Sequence, residues 1–152
     1  MSQITRLFVF LALVLSPLAA SAQAVFPRDS LAIESGGKRV TFQVELAESP
    51  EQRAQGLMYR KSMAPDAGML FVEPGEREQL MWMKNTLIPL DMLFIRADGT
   101  IHSIHERAVP RSEATIASRG AVKSVLELNG GTVSRLGIKP GDKVIYKAFG
   151  TK

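Results

Sequence analysis

Residues 79–100 read QLMWMKNTLIPLDMLFIRADGT. Two short apolar runs, 80–83 and 90–95, flank the polar turn Lys84-Asn85-Thr86. Runs this short, bounded by turn residues, read as strands rather than helices. Residues 79–84 are therefore expected to form one strand and 90–96 the next. Asp98-Gly99 is a strong hairpin signal, which makes 100–105 the returning strand.

The same grammar extends outward. Residues 31–34 and 39–46 read as two strands joined at Gly36-Gly37. In the second, Val40, Phe42, Val44 and Leu46 alternate with Thr41, Gln43 and Glu45, the period of a half-buried strand. Ser49-Pro50-Glu51-Gln52 starts a short helix: serine caps, proline fits the first turn, and Gln52 completes a capping box. Pro65-Asp66-Ala67-Gly68 turns into a strand at 69–72, and Pro74-Gly75 is a further turn. Residues 108–119 are polar, contain Pro110 and read as a long loop. A strand follows at 122–128, then Gly130-Gly131 and a helical turn at 132–136 closed by Gly137. Pro140-Gly141-Asp142 turns into a last strand at 143–149. This pattern predicts a mainly β fold, an antiparallel β-sandwich or jelly-roll-like small barrel with one or two short helices. Val40, Phe42, Val44 and Leu46 are expected to share a core with Leu93, Ile95, Leu126 and Val144.

The N-terminus has different grammar. Arg6 precedes the apolar run LFVFLALVL at 7–15, Pro17 breaks it, and Ala20-Ser21-Ala22 fits the small-x-small cleavage rule. The run is far shorter than the roughly 20 residues of a membrane span. Residues 1–22 thus read as a signal peptide and 23–152 as a single β-rich domain, with mature N-termini expected at Gln23 or Val25. The expected location is periplasmic or extracellular, with no integral membrane segment after cleavage. The chain has no cysteine, which excludes thiol catalysis, thiolate metal sites and a lipoprotein anchor. Its formal charge of +4 is spread along the chain. That reads as a solvated basic surface, not a nucleic-acid interface.

Asp91 is the first candidate for chemistry, because a carboxylate inside an apolar run needs partners or a changed pKa. One reading makes it an acid, a base or a ligand-binding carboxylate. The other makes it a structural acceptor for amides of the 84–88 turn, or a partner of Lys84. Lys84, Asn85 and Thr86 join it in a candidate polar cluster, or simply satisfy the turn. A catalytic role for Asp91 would need a second titratable group, for which Lys84, Glu127 and His102 are candidates. Trp82, between two methionines, is read as core before ligand platform. His102 and His105 lie three apart, on opposite faces of a strand, and read as surface residues. Hydrolase, phosphate-loop and metal-ligand spacings are absent from the sequence, so no metal and no cofactor is expected. Gly130-Gly131-Thr132 is a weak anion-site signal and by default a turn.

The blocks QRAQGLMYR (52–60), DAGMLFV (66–72), WMKNTLIPLDMLFI (82–95), VLEL (125–128) and GIKPGDKV (137–144) together resemble the domain-of-unknown-function 192 family. The resemblance spans nearly the whole mature chain. It implies an exported or membrane-associated protein with a jelly-roll-like β-sandwich, and it carries no catalytic residue across. The functional expectation is an exported binding or accessory protein of the cell envelope, acting on an unknown small molecule or envelope component. The alternatives are an envelope hydrolase using Asp91 as general acid or base, and a structural protein–protein interaction module.

Overall fold

The computed structural model describes residues 24–150, and the expected signal peptide lies outside them. The chain forms β1 (Arg28–Ser35), β2 (Lys38–Ala47), helix α1 (Pro50–Gln55), β3 (Ala67–Met81), β4 (Leu90–Ile95), β5 (Ile101–Ala108), β6 (Ile116–Asn129), helix α2 (Thr132–Leu136) and β7 (Lys143–Ile145). A 3-10 turn at Lys147–Phe149 follows. All seven strands belong to one sheet, in the order β5-β4-β6-β3-β2-β1-β7. The sheet curls until its two edges meet at a bridge between Thr100 and Lys143. The result is a small, partly closed barrel of the expected mainly β class.

Local sequence explains the elements. Gly36 and Gly37 take φ of 55° and 74° in the β1–β2 turn, the left-handed pair that a tight hairpin requires. Ser49 caps α1 as read: its hydroxyl accepts from Gln52 N, while Gln52 Oε1 accepts from Ser49 N. Because α1 carries the chain back along the sheet, β3 runs parallel to β2. That pairing departs from the all-antiparallel expectation, and a helical crossover is what permits it.

Several boundaries differ from the sequence reading, four of them with a structural reason. β3 continues through Pro74-Gly75, because the pairing with β6 simply skips the segment between Val72 and Arg77. A proline is tolerated in such a bulge, where its missing N–H is not needed. β3 stops at Met81 rather than Lys84, and 82–89 is irregular. β6 begins at Ile116, inside the expected loop, to pair with Met81. The last strand ends at Ile145, before the 3-10 turn.

Both faces of the sheet are covered, which explains why all six residues of β4 are buried. The inner face holds Phe42, Val44, Leu46, Leu93, Ile95, Leu126 and Val144, with Val40 packed at the margin, as expected. The outer face holds Met69, Phe71, Met83, Met92 and Phe94 under α1 and the 82–89 and 108–116 loops. Those loops are tied together by Tyr59 N donating to Asn85 O, Met83 N to Ser112 O and Arg111 N to Thr86 O. Gly68 marks a tight backbone approach: a Cβ there would lie 2.7 Å from the Glu127 carbonyl oxygen.

Candidate functional site

Two acids on the neighbouring strands β4 and β6 are buried, and they face opposite ways. Asp91 pairs in register with Leu128, whose side chain belongs to the inner core, and Glu127 pairs with Met92 of the outer one. Residues paired across a ladder share a face, so Asp91 points inward and Glu127 outward.

Asp91 is 0 % exposed and fully engaged. Its Oδ1 accepts from Arg107 N at 2.8 Å and Gly131 N at 3.0 Å, and its Oδ2 from Val133 N at 2.8 Å. Gly131 and Val133 lie at the start of α2, whose N-cap residue, Gly131, has no side chain to offer. A strand carboxylate thus supplies the cap the helix lacks, satisfying amides that would otherwise be orphaned. Gly131 sits at φ 92°, a left-handed turn suited to glycine. The partners are therefore not the 84–88 turn or Lys84, as expected. That expectation followed chain proximity, whereas the amides come from β5 and α2.

Glu127 has a different environment. It is 4 % exposed and lies between Met69 and Met92 in the register. No hydrogen-bond donor to its carboxyl is found among the described residues. Burial without a compensating donor or cation pushes its pKa up to about 8. The group is therefore a neutral acid at pH 7, able both to donate and to accept a hydrogen bond.

Glu127 lines a cleft of about 280 Å³ between α1 and the end of β3. Gln79 lines it too, 5 % exposed, and its Nε2 is buried without a partner. Glu73 is a third buried polar group, but it is matched by Arg53 at 3.4 Å and Arg77 at 3.0 Å. Trp82 borders the cleft and is 49 % exposed, so it is not the core residue expected from its methionine neighbours. Lys84 Nζ lies 5.1 Å from the Trp82 ring centroid, a cation–π contact that braces the indole. A roomier hollow of about 460 Å³ lies beside β2 and β3, but its charges answer one another: Glu45 pairs with both Arg28 and Arg60.

The four residues of the expected polar cluster do not form one group. Thr86 is buried, lines the cleft, and donates to Lys84 O. Lys84 reaches the site only through Trp82. Asn85 takes φ 54° and serves the turn, with its Nδ2 3.9 Å from Met58 Sδ. Asp91 belongs to the other face. Of the partners considered for it, none touches its carboxylate, and His102 instead contacts Arg96 at 2.8 Å and the Arg119 carbonyl at 3.2 Å. Glu127 entered the sequence reading only as a possible partner of Asp91. Its own signal was an acid inside the apolar run VLEL.

Residues 31–146 match the model of the domain-of-unknown-function 192 family, described as uncharacterized ACR. The chain belongs to this family. Among solved structures, it is similar to a Sinorhizobium meliloti protein described as a proposed transcription regulator. The two are 54 % identical over 80 % of this chain and 95 % of that one, with a TM-score of 0.78. A Novosphingobium aromaticivorans protein of unknown function is 38 % identical over 84 % of this chain and 94 % of that one, with a TM-score of 0.77. No curated protein matches. The domain-of-unknown-function 192 fold is thus shared over the whole barrel, including the strands that carry Asp91 and Glu127.

Proposed function

We propose that this chain is an exported ligand-binding protein of the cell envelope and that the cleft over Glu127 is its binding site. One observation carries the reading: the Gln79 Nε2 is buried without a protein partner in the wall of a cleft that the Glu127 carboxyl also lines. Leaving the Gln79 amide unmatched costs about 1–3 kcal/mol, and a carboxyl with no protein donor beside it is open to a ligand. A bound molecule that pairs with them recovers that cost, which gives the site an intrinsic affinity for polar ligands. The exposed indole of Trp82 adds an apolar surface beside them.

Export rests on the signal-peptide grammar of residues 1–22. Sequencing the N-terminus of protein from the envelope fraction tests it. A start at Gln23 or Val25 supports the reading, and an intact Met1 in the cytoplasm contradicts it.

The hydrolase alternative through Asp91 draws no support from geometry, because three backbone amides occupy that carboxylate. The interaction-module alternative relied on an exposed strand edge, and the two sheet edges meet each other at Thr100 and Lys143. Binding can be followed directly, since Trp82 is the only tryptophan in the chain. Titrating a panel of small polar molecules should change its fluorescence and shift the amide resonances of Gln79 and Glu127. A panel that moves neither signal would contradict the assignment of the cleft.

A further inference from the structure

We infer that the ligand of this cleft is a neutral carbohydrate, stacked on Trp82 and hydrogen-bonded by Glu127 and Gln79. The inference rests on the binding role proposed above and narrows it to a ligand class.

The polar groups of the cleft set the first requirement. The Gln79 Nε2 needs an acceptor. The Glu127 carboxyl, protonated in its buried setting, offers one donor and further acceptor capacity. A ligand that satisfies both must present donors and acceptors close together. Hydroxyl groups do so at each carbon of a sugar ring, since each is both donor and acceptor.

The second requirement is set by Trp82. It is about half exposed, at 49 %, and borders the cleft. Lys84 lies over the ring but does not line the cleft, so it braces the indole without entering the cleft itself. An aromatic plane beside paired hydrogen-bonding groups suits a molecule with one apolar face and a polar rim. A pyranose has this shape, with axial C–H groups on one face and hydroxyls around the edge.

Charge disfavours the other small polar classes. The guanidinium of Arg53 is committed to Glu73 and to the carbonyls of Glu48 and Val72, and Arg77 is also paired with Glu73. An anion would therefore find no uncommitted cation in the cleft. A cation would have to ionise Glu127 in a desolvated position, which carries the cost of burying a charge. A neutral polyol meets neither obstacle. The cleft volume of about 280 Å³ limits the occupant to one or two sugar rings, or to the end of a longer glycan.

The test is a two-dimensional amide NMR titration of the purified protein at pH 7. The probes are glucose, N-acetylglucosamine and its β-1,4-linked disaccharide, with acetate, ethylamine and inorganic phosphate alongside. At least one saccharide should shift the Gln79, Trp82 and Glu127 signals saturably and change the tryptophan fluorescence. Trp82→Ala and Glu127→Leu should each weaken that binding at least tenfold, while Glu127→Gln, which keeps a donor and an acceptor, should stay within about threefold. Glu127→Leu replaces a buried acid by an apolar side chain, so its melting temperature should hold or rise, which separates a lost contact from a lost fold. If acetate, ethylamine or phosphate saturates the same signals and no saccharide does, the carbohydrate inference is overturned and the binding role stands. If no probe moves the cleft signals, both fall.

Discussion

Asp91 and Glu127 sit on adjacent strands, each almost completely shielded from water, and they solve the problem of a buried carboxyl in opposite ways. Asp91 faces the inner core and receives three backbone N–H groups. Through those bonds its side chain ties β4 to β5 and to the start of α2. Glu127 faces the outer side, has methionines as register neighbours and receives no such donors. It keeps its proton instead. Burial alone therefore does not identify a functional acid. The distinguishing feature is whether the fold has already satisfied the group.

The comparison predicts its largest effect at Asp91. Replacing it by alanine strands the amides of Arg107, Gly131 and Val133. Asp91→Ala should lower the free energy of unfolding by about 3–5 kcal/mol, measured by urea denaturation. Asp91→Asn retains one acceptor oxygen and should lose roughly half as much. A loss below about 1 kcal/mol for the alanine variant would mean that these bonds do not hold the barrel together.

Glu127 should show the opposite sign. Its folded pKa of about 8 lies above the ordinary 4.5, so the folded state keeps a proton that the unfolded chain releases. Stability must then fall as pH rises from about 4.5 to about 8. The loss is on the order of 5 kcal/mol when integrated over that window. Glu127→Gln removes the titration, so the variant should gain stability relative to the wild type at pH 9 and match it closely near pH 4. Urea midpoints at the two pH values measure this difference. Equal pH profiles for the two proteins would break the contrast with Asp91.

A smaller effect tests the cleft wall. Ser49→Ala removes one half of the α1 capping box and should cost about 1 kcal/mol. Because α1 covers the outer face only, the variant should lower the Glu127 titration midpoint by loosening its cover. Amide exchange at Gly131 and Val133, on the Asp91 side, should be unaffected beyond the global change. Equal local loosening on both faces would show that the two sites are not independent.

The smallest effect belongs to an exposed acid. Asp98 has its pKa lowered to about 2, first by the Thr100 amide and then by the Thr100 hydroxyl and Lys143. Its side chain is 64 % exposed, and solvent screens the interaction. Asp98→Asn should therefore change stability at pH 7 by no more than a few tenths of a kcal/mol. The contribution is present above the ordinary value of 3.8 and is lost as pH falls through about 2. A change above about 1 kcal/mol would show that the Asp98–Lys143 contact clamps the barrel edge.

The sequence carried the fold further than the site. Alternation in β2 correctly placed Phe42, Val44 and Leu46 inside, and Ser49 with Gln52 correctly marked the helix start, because both signals are local. The parallel β2–β3 pair was not legible, since it depends on where α1 returns the chain. Asp91 stood out in an apolar run, and its burial followed from that. Its partners did not, because they come from residues 16 to 42 positions away in the chain. Glu127 was legible only as a possible partner of Asp91, because its burial depends on the helix and loops that cover the second face of the sheet. Trp82 misled for the complementary reason: the methionines beside it pack beneath the loops while its own side chain borders the cleft.

The most direct measurement is a carbon-detected NMR titration of the Glu127 side-chain carboxyl in the folded protein. The predicted result is a midpoint at about 8, far above the ordinary 4.5, which would establish a neutral acid in the cleft at pH 7. A midpoint near 4.5 would contradict it, because Glu127 would then be an ordinary solvated carboxylate.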